Sequence, residues 1–98
     1  MDYNELSEEE QIELVSRDRT RVKYIENPSE PVQLAAVQRY GRTIRHIADP
    51  SEAVQLAAVR QDGNMIRYIE APSEAVQLTA VQQNGYVIRF INDPSVAV

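Results

Sequence analysis

The sequence predicts an all-α protein, a short α-solenoid of helix–Gly–short-helix repeats with a 22-residue period. Residues 27–48, 49–70 and 71–92 align without gaps, and 12 of the 22 positions are identical in all three copies. Each copy places Pro-Ser-Glu near its start and a single Gly beyond its middle, which are signals of helix boundaries. Because the chain has one Phe and no Trp, we expect a core of Val, Ile, Leu and Ala.

Two incomplete copies flank the regular ones, and all five form a single repeat domain over residues 1–98. Residues 5–26 keep the apolar positions but lack the Pro and the Gly, so we interpret them as a degenerate N-terminal capping repeat. Residues 93–98 begin a truncated fifth copy that ends on apolar residues. An uncapped apolar end predicts end-to-end homodimers through the C-terminal repeat.

The first helix of each regular copy begins beside the Pro, where the residues are compatible with two boundaries. Asn27 or Asp49 is a good N-cap, with Pro at the first helical position and Glu at the third. The Ser of each copy is the alternative N-cap, and Ala71 favours this alternative in the third copy. The alternative caps are Ser29, Ser51 and Ser73.

The Gly of each copy is expected to end the first helix by adopting a left-handed conformation just beyond the last turn. Gly41, Gly63 and Gly85 leave a first helix of about 11 to 13 residues. The stretch of about seven residues between each Gly and the next Pro predicts a second helix of one to two turns, partly 3₁₀.

The apolar residues of the first helix lie on two sides, which is typical of a helix packed between neighbours. In the second regular copy, Val54 and Ala58 lie on one side, and Leu56 and Val59 lie on another. Small Ala side chains would allow helices of adjacent copies to approach closely. We therefore expect four stacked helical pairs in a short, right-handed or gently curved array.

The block Val-Gln-Leu-Ala-Ala-Val, followed by Gly and then Ile-Arg-x-Ile, resembles a short helical repeat that occurs in tandem in bacterial and phage proteins. Its Pro-Ser-Glu-x-Val-x-Leu-Ala-Ala-Val helix is distantly similar to the leucine-rich-repeat-variant and HEAT types of α-solenoid. The first resemblance covers about residues 5–95. It implies an α-solenoid that binds macromolecules, and it supplies no catalytic residues.

Composition argues against an enzyme. The absence of Cys and the single His46 exclude thiolate metal sites and His pairs, and the isolated Gly residues do not form a phosphate-binding loop. We therefore expect no catalytic residues, no metal site and no cofactor. No apolar run approaches the roughly 20 residues needed to span a bilayer, and the first residues lack the features of a secretory signal. The expected location is the cytoplasm.

Three rows of polar residues recur once per copy and have structural explanations. The Glu row is expected to complement helix N-termini, and the Ser row to cap them rather than to supply nucleophiles. The Gln row predicts an amide ladder between repeats or, as an alternative, a groove that contacts a partner's backbone. The Glu row is Glu30, Glu52 and Glu74, and the Gln row is Gln11, Gln33, Gln55 and Gln77.

The candidate partner-binding residues form two adjacent rows in the short helices. The cation of each copy either pairs with a Glu and packs its stem, or belongs to a cationic track for an acidic partner. The aromatic row lies about 200° from Ile44. It therefore predicts either exposed rings of a binding surface or contacts with a neighbouring long helix. The cations are Lys23, Arg45, Arg67 and Arg89, and the aromatic row is Tyr24, His46, Tyr68 and Phe90.

The net charge of −5 is concentrated at one end. Residues 1–16 hold six acids and no base, whereas residues 17–98 hold ten bases and nine acids. A nearly neutral body argues against a nucleic-acid partner. The acidic segment is interpreted as a solubilising cap, with an interaction end as the alternative.

The leading functional hypothesis is a non-catalytic protein–protein interaction module or scaffold, whose partner is a protein. One alternative is a small phage-type inhibitor or nucleic-acid mimic that acts on a nucleic-acid-binding enzyme, which the small size and the acidic N-terminal segment favour. A second alternative is a fragment of a longer structural repeat array, which the abrupt C-terminus favours.

Overall fold

The computed structural model describes residues 2–91, and every regular element in this range is a helix. The predicted all-α class is therefore confirmed for this part of the chain. The α-helices, named α1 to α4, are Glu8–Arg17, Glu30–Arg39, Glu52–Gln61 and Glu74–Gln83. The 3₁₀ helices, named η1 to η5, are Tyr3–Glu5, Arg19–Tyr24, Gly41–His46, Gly63–Tyr68 and Gly85–Phe90.

The elements recur with the period of the sequence. We number the copies 5–26, 27–48, 49–70 and 71–92 as units 1 to 4, and each contains one α-helix followed by one six-residue 3₁₀ helix. Each α-helix packs against the α-helix of the next unit, and each 3₁₀ helix packs against the next 3₁₀ helix. The result is an elongated body of 47 × 19 × 15 Å with an α-helical layer and a 3₁₀ layer.

The α-helices begin at Ser, which corrects the alternative of Asn27 or Asp49 as N-cap. Ser51 Oγ accepts a hydrogen bond from the Val54 amide at 3.3 Å, and Ser73 Oγ does the same for Val76 at 3.2 Å. The Pro therefore precedes the cap instead of opening the helix, and Glu is the first helical residue. The turn before the Pro is tight: Asn27 and Ala71 have φ of 47° and 48°.

The Gly residues do not end the α-helices in a left-handed conformation, so that prediction is wrong. None of them has positive φ; the α-helices end at extended residues such as Asp62, and Gly63 opens the next 3₁₀ helix. At Gly41 and Gly63, the next unit leaves little room for a side chain. A Cβ at Gly63 would lie 2.6 Å from the Ala80 carbonyl oxygen, and a Cβ at Gly41 would lie 3.3 Å from the Ala58 carbonyl oxygen.

The short helices follow the prediction of one to two turns and are 3₁₀ throughout their described length. Asp18, Asp62 and Asn84 start them by accepting a hydrogen bond from the amide two residues later, at 3.0 to 3.1 Å. Each ends at an Ile whose amide bonds the carbonyl three residues earlier. These four residues, Ile25, Ile47, Ile69 and Ile91, are buried.

The core runs between the two layers. Ala36, Ala58 and Ala80 have no exposed surface, and their small side chains let successive α-helices approach closely. The larger core residues are the Val at two positions of α2, α3 and α4, Val15 of α1, and an Ile or Val in each of η2 to η5. The Leu row lies nearer the surface, since Leu34 and Leu56 are half-buried and Leu78 is 42% exposed.

None of the helices between residues 2 and 91 has the length and apolar character needed to cross a bilayer. The predicted fifth copy at 93–98, and the dimer contact expected there, lie outside the described residues.

Candidate functional site

The predicted cation row lies along the exposed edge of the 3₁₀ layer. Lys23, Arg45, Arg67 and Arg89 are all exposed, one in each of η2 to η5. The aromatic row is less uniform: Tyr24 is 54% exposed and His46 is exposed, whereas Tyr68 is half-buried and packs against the core. The side chain of Phe90 lies outside the described part of the structure.

The two rows interleave because the helices stack. The guanidinium carbons of Arg45 and Arg67 lie 6.0 and 5.7 Å from the centre of the Tyr68 ring, so one ring contacts cations of two successive units. The Lys23 amine lies 5.3 Å from the Tyr24 ring centre. These distances are within the range of cation–π attraction. The cation–aromatic surface comprises Lys23, Tyr24, Arg45, His46, Arg67, Tyr68 and Arg89.

Tyr86 extends this surface, although sequence reasoning did not select it. Its ring centre lies 6.0 Å from the Arg89 guanidinium carbon, and the residue is 76% exposed. Tyr86 replaces Arg42 and Asn64 of the preceding units. Its position three residues before Arg89 is the available signal, because residues i and i+3 eclipse in a 3₁₀ helix.

The N-terminal residues cover one end of the surface. The Tyr3 and Tyr24 ring centres are 6.1 Å apart, and Arg21 donates a hydrogen bond to the Tyr3 hydroxyl. The Glu26 amide donates to Asn4 Oδ1 at 2.7 Å. The first 3₁₀ helix, η1, therefore packs against unit 1 at the position that a preceding unit occupies in units 2 to 4.

Two equivalent clefts, each of about 460 Å³, open beside the cation–aromatic surface at successive unit junctions. Both combine a cation and an aromatic or His side chain with the Pro loop and the Gln of the α-helix. Carboxylates also line them, namely Glu26 and Asp49 in the first and Asp49 and Glu70 in the second. Each cleft is thus lined by both cations and carboxylates.

A third, smaller cleft of about 270 Å³ lies between η2 and η3. It is lined by Thr20, Arg42, Thr43, Arg45 and His46. Burial, Arg45 and Lys23 together hold the pKa of His46 below its usual value, since each disfavours the imidazolium.

The Gln row is structural, and the bonds that it makes among the described residues lie within its own units instead of forming the predicted ladder between repeats. Gln33, Gln55 and Gln77 donate from Nε2 to the Pro carbonyl five residues earlier in the same unit, at 2.7 to 3.0 Å. Gln11 donates instead to the Tyr3 carbonyl at 2.9 Å. The amide therefore holds the loop that precedes its own helix, because Nε2 reaches that carbonyl before it can reach a neighbouring unit.

Amide bridges between units come from residues that sequence reasoning missed. Gln61 Oε1 accepts from the Gly41 amide at 2.8 Å, and its Nε2 donates to the Val37 carbonyl at 2.6 Å. Gln83 Oε1 accepts from the Gly63 amide at 2.7 Å. The sequence does carry a signal, since both Gly residues precede a Gln by 20 positions. The equivalent pair one unit earlier is Arg19 and Arg39.

The Ser and Glu rows lie at helix starts, as the structural explanation predicts. Ser7 and Glu10 form a full capping box, in which the Ser7 amide donates to Glu10 and lowers the pKa of that carboxyl. In units 2 to 4 the Glu is the first helical residue, where its charge complements the helix dipole. Among residues 2–91, no three His, Cys, Asp or Glu side chains converge as metal ligands would.

Comparison of the chain with protein-family models, curated proteins and solved structures found no match. The resemblance to short helical repeats of bacterial and phage proteins therefore stays a prediction.

Proposed function

We propose that the chain is a non-catalytic protein-interaction module, a short α-solenoid that binds a protein partner through the cation–aromatic surface. The observation that carries this proposal is the position of Tyr68, whose ring contacts Arg45 and Arg67 from two successive units. Stacking thus joins the exposed cations of units 2 and 3 through one ring, which supports a strip that runs across units.

The arrangement of the units supports the solenoid. Each unit packs against the next through both layers, and the body is more than twice as long as it is wide. In such arrays the binding surface is an edge or face that runs across several repeats. The exposed edge of the 3₁₀ layer likewise runs across several units.

The residue types support a protein partner. Tyr and Arg are the residues that most often dominate binding energy at protein interfaces, because they combine apolar area with directional polar groups. A ring held between two guanidinium groups loses little further conformational entropy when it binds. The carboxylates Glu26, Asp49 and Glu70, which line the adjacent clefts, would repel the phosphates of a nucleic acid.

The test is a quantitative pull-down in which the double variant Arg67→Ala/Tyr68→Ala is compared with the unmodified chain. We expect loss of the partners that the unmodified chain retains, because the variant removes the centre of the strip.

Arg39→Ala/Tyr40→Ala is the matched control. It removes the same two residue types in the same kind of contact, 5.6 Å between the guanidinium carbon and the ring centre, but at the opposite end of a 3₁₀ helix. Equal recovery of every partner by all three proteins, each shown to be folded by circular dichroism, would refute the proposed surface.

A further inference from the structure

The cleft between η2 and η3 has a composition that the larger clefts lack. Four of its lining residues come from η3, namely Arg42, Thr43, Arg45 and His46, and Thr20 comes from η2. This lining contains two guanidinium groups, one imidazole and two hydroxyl groups, and none of these described lining residues is a carboxylate.

The 3₁₀ geometry places the two arginines together. Residues i and i+3 eclipse in a 3₁₀ helix, so Arg42 and Arg45 extend from the same edge of η3. Both are exposed and line the cleft, and the Arg45 guanidinium also contacts the Tyr68 ring of the next unit. An anion in such a cleft accepts charge-assisted hydrogen bonds from guanidinium groups.

Thr43 adds a buried hydroxyl to the same cleft. The residue is 3% exposed, and its Oγ1 has no hydrogen-bond partner among the described residues. A buried hydroxyl without a partner destabilises the folded state, because it has lost its hydrogen bonds to water. Units 3 and 4 place apolar Met65 and Val87 at this position, so packing does not require a hydroxyl here.

Three of the four η3 residues that line this cleft differ from their counterparts in the next unit. Where unit 2 has Arg42, Thr43 and His46, unit 3 has Asn64, Met65 and Tyr68. Arg45 is the one member of this group that the next unit retains, as Arg67. Units 1 and 4 also differ at these positions, so this combination of side chains occurs in one unit, in contrast to the repeating clefts.

We propose that this cleft binds a phosphate group, free or carried as a monoester on a side chain. Arg42 and Arg45 supply paired charge-assisted donors for its oxygens. His46 supplies a further donor when protonated, and the Thr43 hydroxyl gains the acceptor that it lacks. The proposal goes beyond the protein-interaction function, because free phosphate is recognised without any protein partner.

The charges around His46 agree with an anion site. Its pKa is lowered by partial burial and by Arg45 and Lys23, so cations prevail there. On the adjoining η2, the carboxylate of Asp18 is already bound by Arg21 and by the Thr20 hydroxyl. On the other side of η3, η4 contributes the cation Arg67.

The test uses the full chain and the signal of its single His. His46 is titrated by proton NMR in sodium phosphate and in sodium chloride at equal ionic strength, so that screening is the same. Bound phosphate stabilises the imidazolium and should raise the pKa of His46. Amide shifts in η3 recorded during a phosphate titration at fixed pH give the dissociation constant.

Variants assign the roles. Arg42→Gln should weaken phosphate binding about tenfold or more, whereas Arg60→Gln, at an exposed arginine of α3 outside the cleft, should leave it unchanged. Thr43→Val should weaken binding several-fold and yet raise the midpoint of thermal unfolding, a combination that a purely structural residue would not produce.

A phosphoserine peptide and its unphosphorylated form distinguish the two sources. Tighter binding of the phosphopeptide than of inorganic phosphate supports a phosphorylated side chain, and the reverse supports free phosphate. The proposal is overturned if neither probe moves the His46 titration, or if Arg42→Gln binds phosphate as the unmodified chain does. Unaltered binding by Thr43→Val would remove the hydroxyl from the site.

Discussion

At the scale of single residues, Asn27 and Ala71 show that two different residue types can adopt the same backbone conformation just before a Pro. Asn27 and Ala71 both adopt a left-handed backbone, with φ near 48°. Asn tolerates this region, whereas the Cβ of Ala is placed too close to the following carbonyl. The chain therefore holds a strained Ala71 at a position where unit 2 uses a compatible residue.

Ala71→Asn is expected to stabilise the protein by about 1 kcal/mol, because it relieves this backbone strain. The free energy of unfolding, measured in urea, checks the change. Ala48→Asn is the control, since Ala48 is an exposed loop residue without positive φ. An equal gain from both variants would show that backbone strain at residue 71 is not the cause.

His46 gives a pH dependence of known sign. Its pKa is lowered in the folded protein, so the unfolded chain binds the proton more readily. Stability is therefore complete above the unfolded pKa of about 6.5 and declines as the pH falls below it. Glu10 and Asp18, whose pKa values are also lowered, act at lower pH and do not contribute in this window.

The expected result is a lower free energy of unfolding at pH 5.5 than at pH 7.5 in the unmodified chain. His46→Tyr, which installs the residue of units 1 and 3, should abolish this difference. Urea unfolding at the two pH values is the measurement, and the same decline in both proteins would contradict the assignment.

At the scale of elements, the next α-helix constrains which residue can open η3 and η4. The Gly63 amide donates to Gln83, and a Cβ at Gly63 would lie 2.6 Å from a backbone carbonyl. Backbone cannot move away as a side chain can. A Cβ at Gly41 would lie 3.3 Å from the Ala58 carbonyl oxygen, and a Cβ at Gly85 would meet no described atom within 4 Å outside its chain neighbours.

A graded response to Ala is expected at the three positions. Gly63→Ala should destabilise by about 2 kcal/mol through this overlap, and Gly41→Ala should destabilise by less. Gly85→Ala should be neutral or stabilising by about 0.5 kcal/mol, because it restricts only the unfolded chain. Thermal and urea unfolding measure the series, and similar losses at all three positions would rule out close packing as the reason for Gly.

At the scale of the whole molecule, stability is expected to come from each unit and from its contact with the next. The junction between units 2 and 3 and the junction between units 3 and 4 each contain a Gly–Gln bridge, between Gly41 and Gln61 and between Gly63 and Gln83. An added unit that supplies both members of the pair is expected to preserve these bridges.

Insertion of a second copy of residues 49–70 after residue 70 is expected to keep the helical content per residue and to raise the urea midpoint. The inserted copy supplies a Gln that can bond the original Gly63, and a Gly that can bond Gln83, so both new junctions keep their bridge. A copy of residues 27–48 inserted after residue 48 places Arg39, instead of a Gln, opposite the original Gly41. The urea midpoint should therefore rise less for this second insertion. Equal midpoints for the two insertions would show that the bridge does not determine the junction.

The sequence by itself determined the helical class, the 22-residue spacing of the elements and most buried apolar positions, and it left the start of each α-helix open between two N-caps. These features depend on side chains a few residues apart, so a repeat unit displays them directly. The cation and aromatic rows could be selected in the same way, as Lys23 and Arg45 illustrate.

Only the tertiary structure decided which polar groups meet across a junction. The role of Gly63, the bridge through Gln61 and the cleft around Thr43 all depend on atoms about 20 residues apart in sequence that stacking brings into contact. A periodic sequence shows that such residues recur, but it does not show which of them touch. For that reason the sequence predicts a cation row and an aromatic row separately, and the packing of successive units brings them into contact at Tyr68.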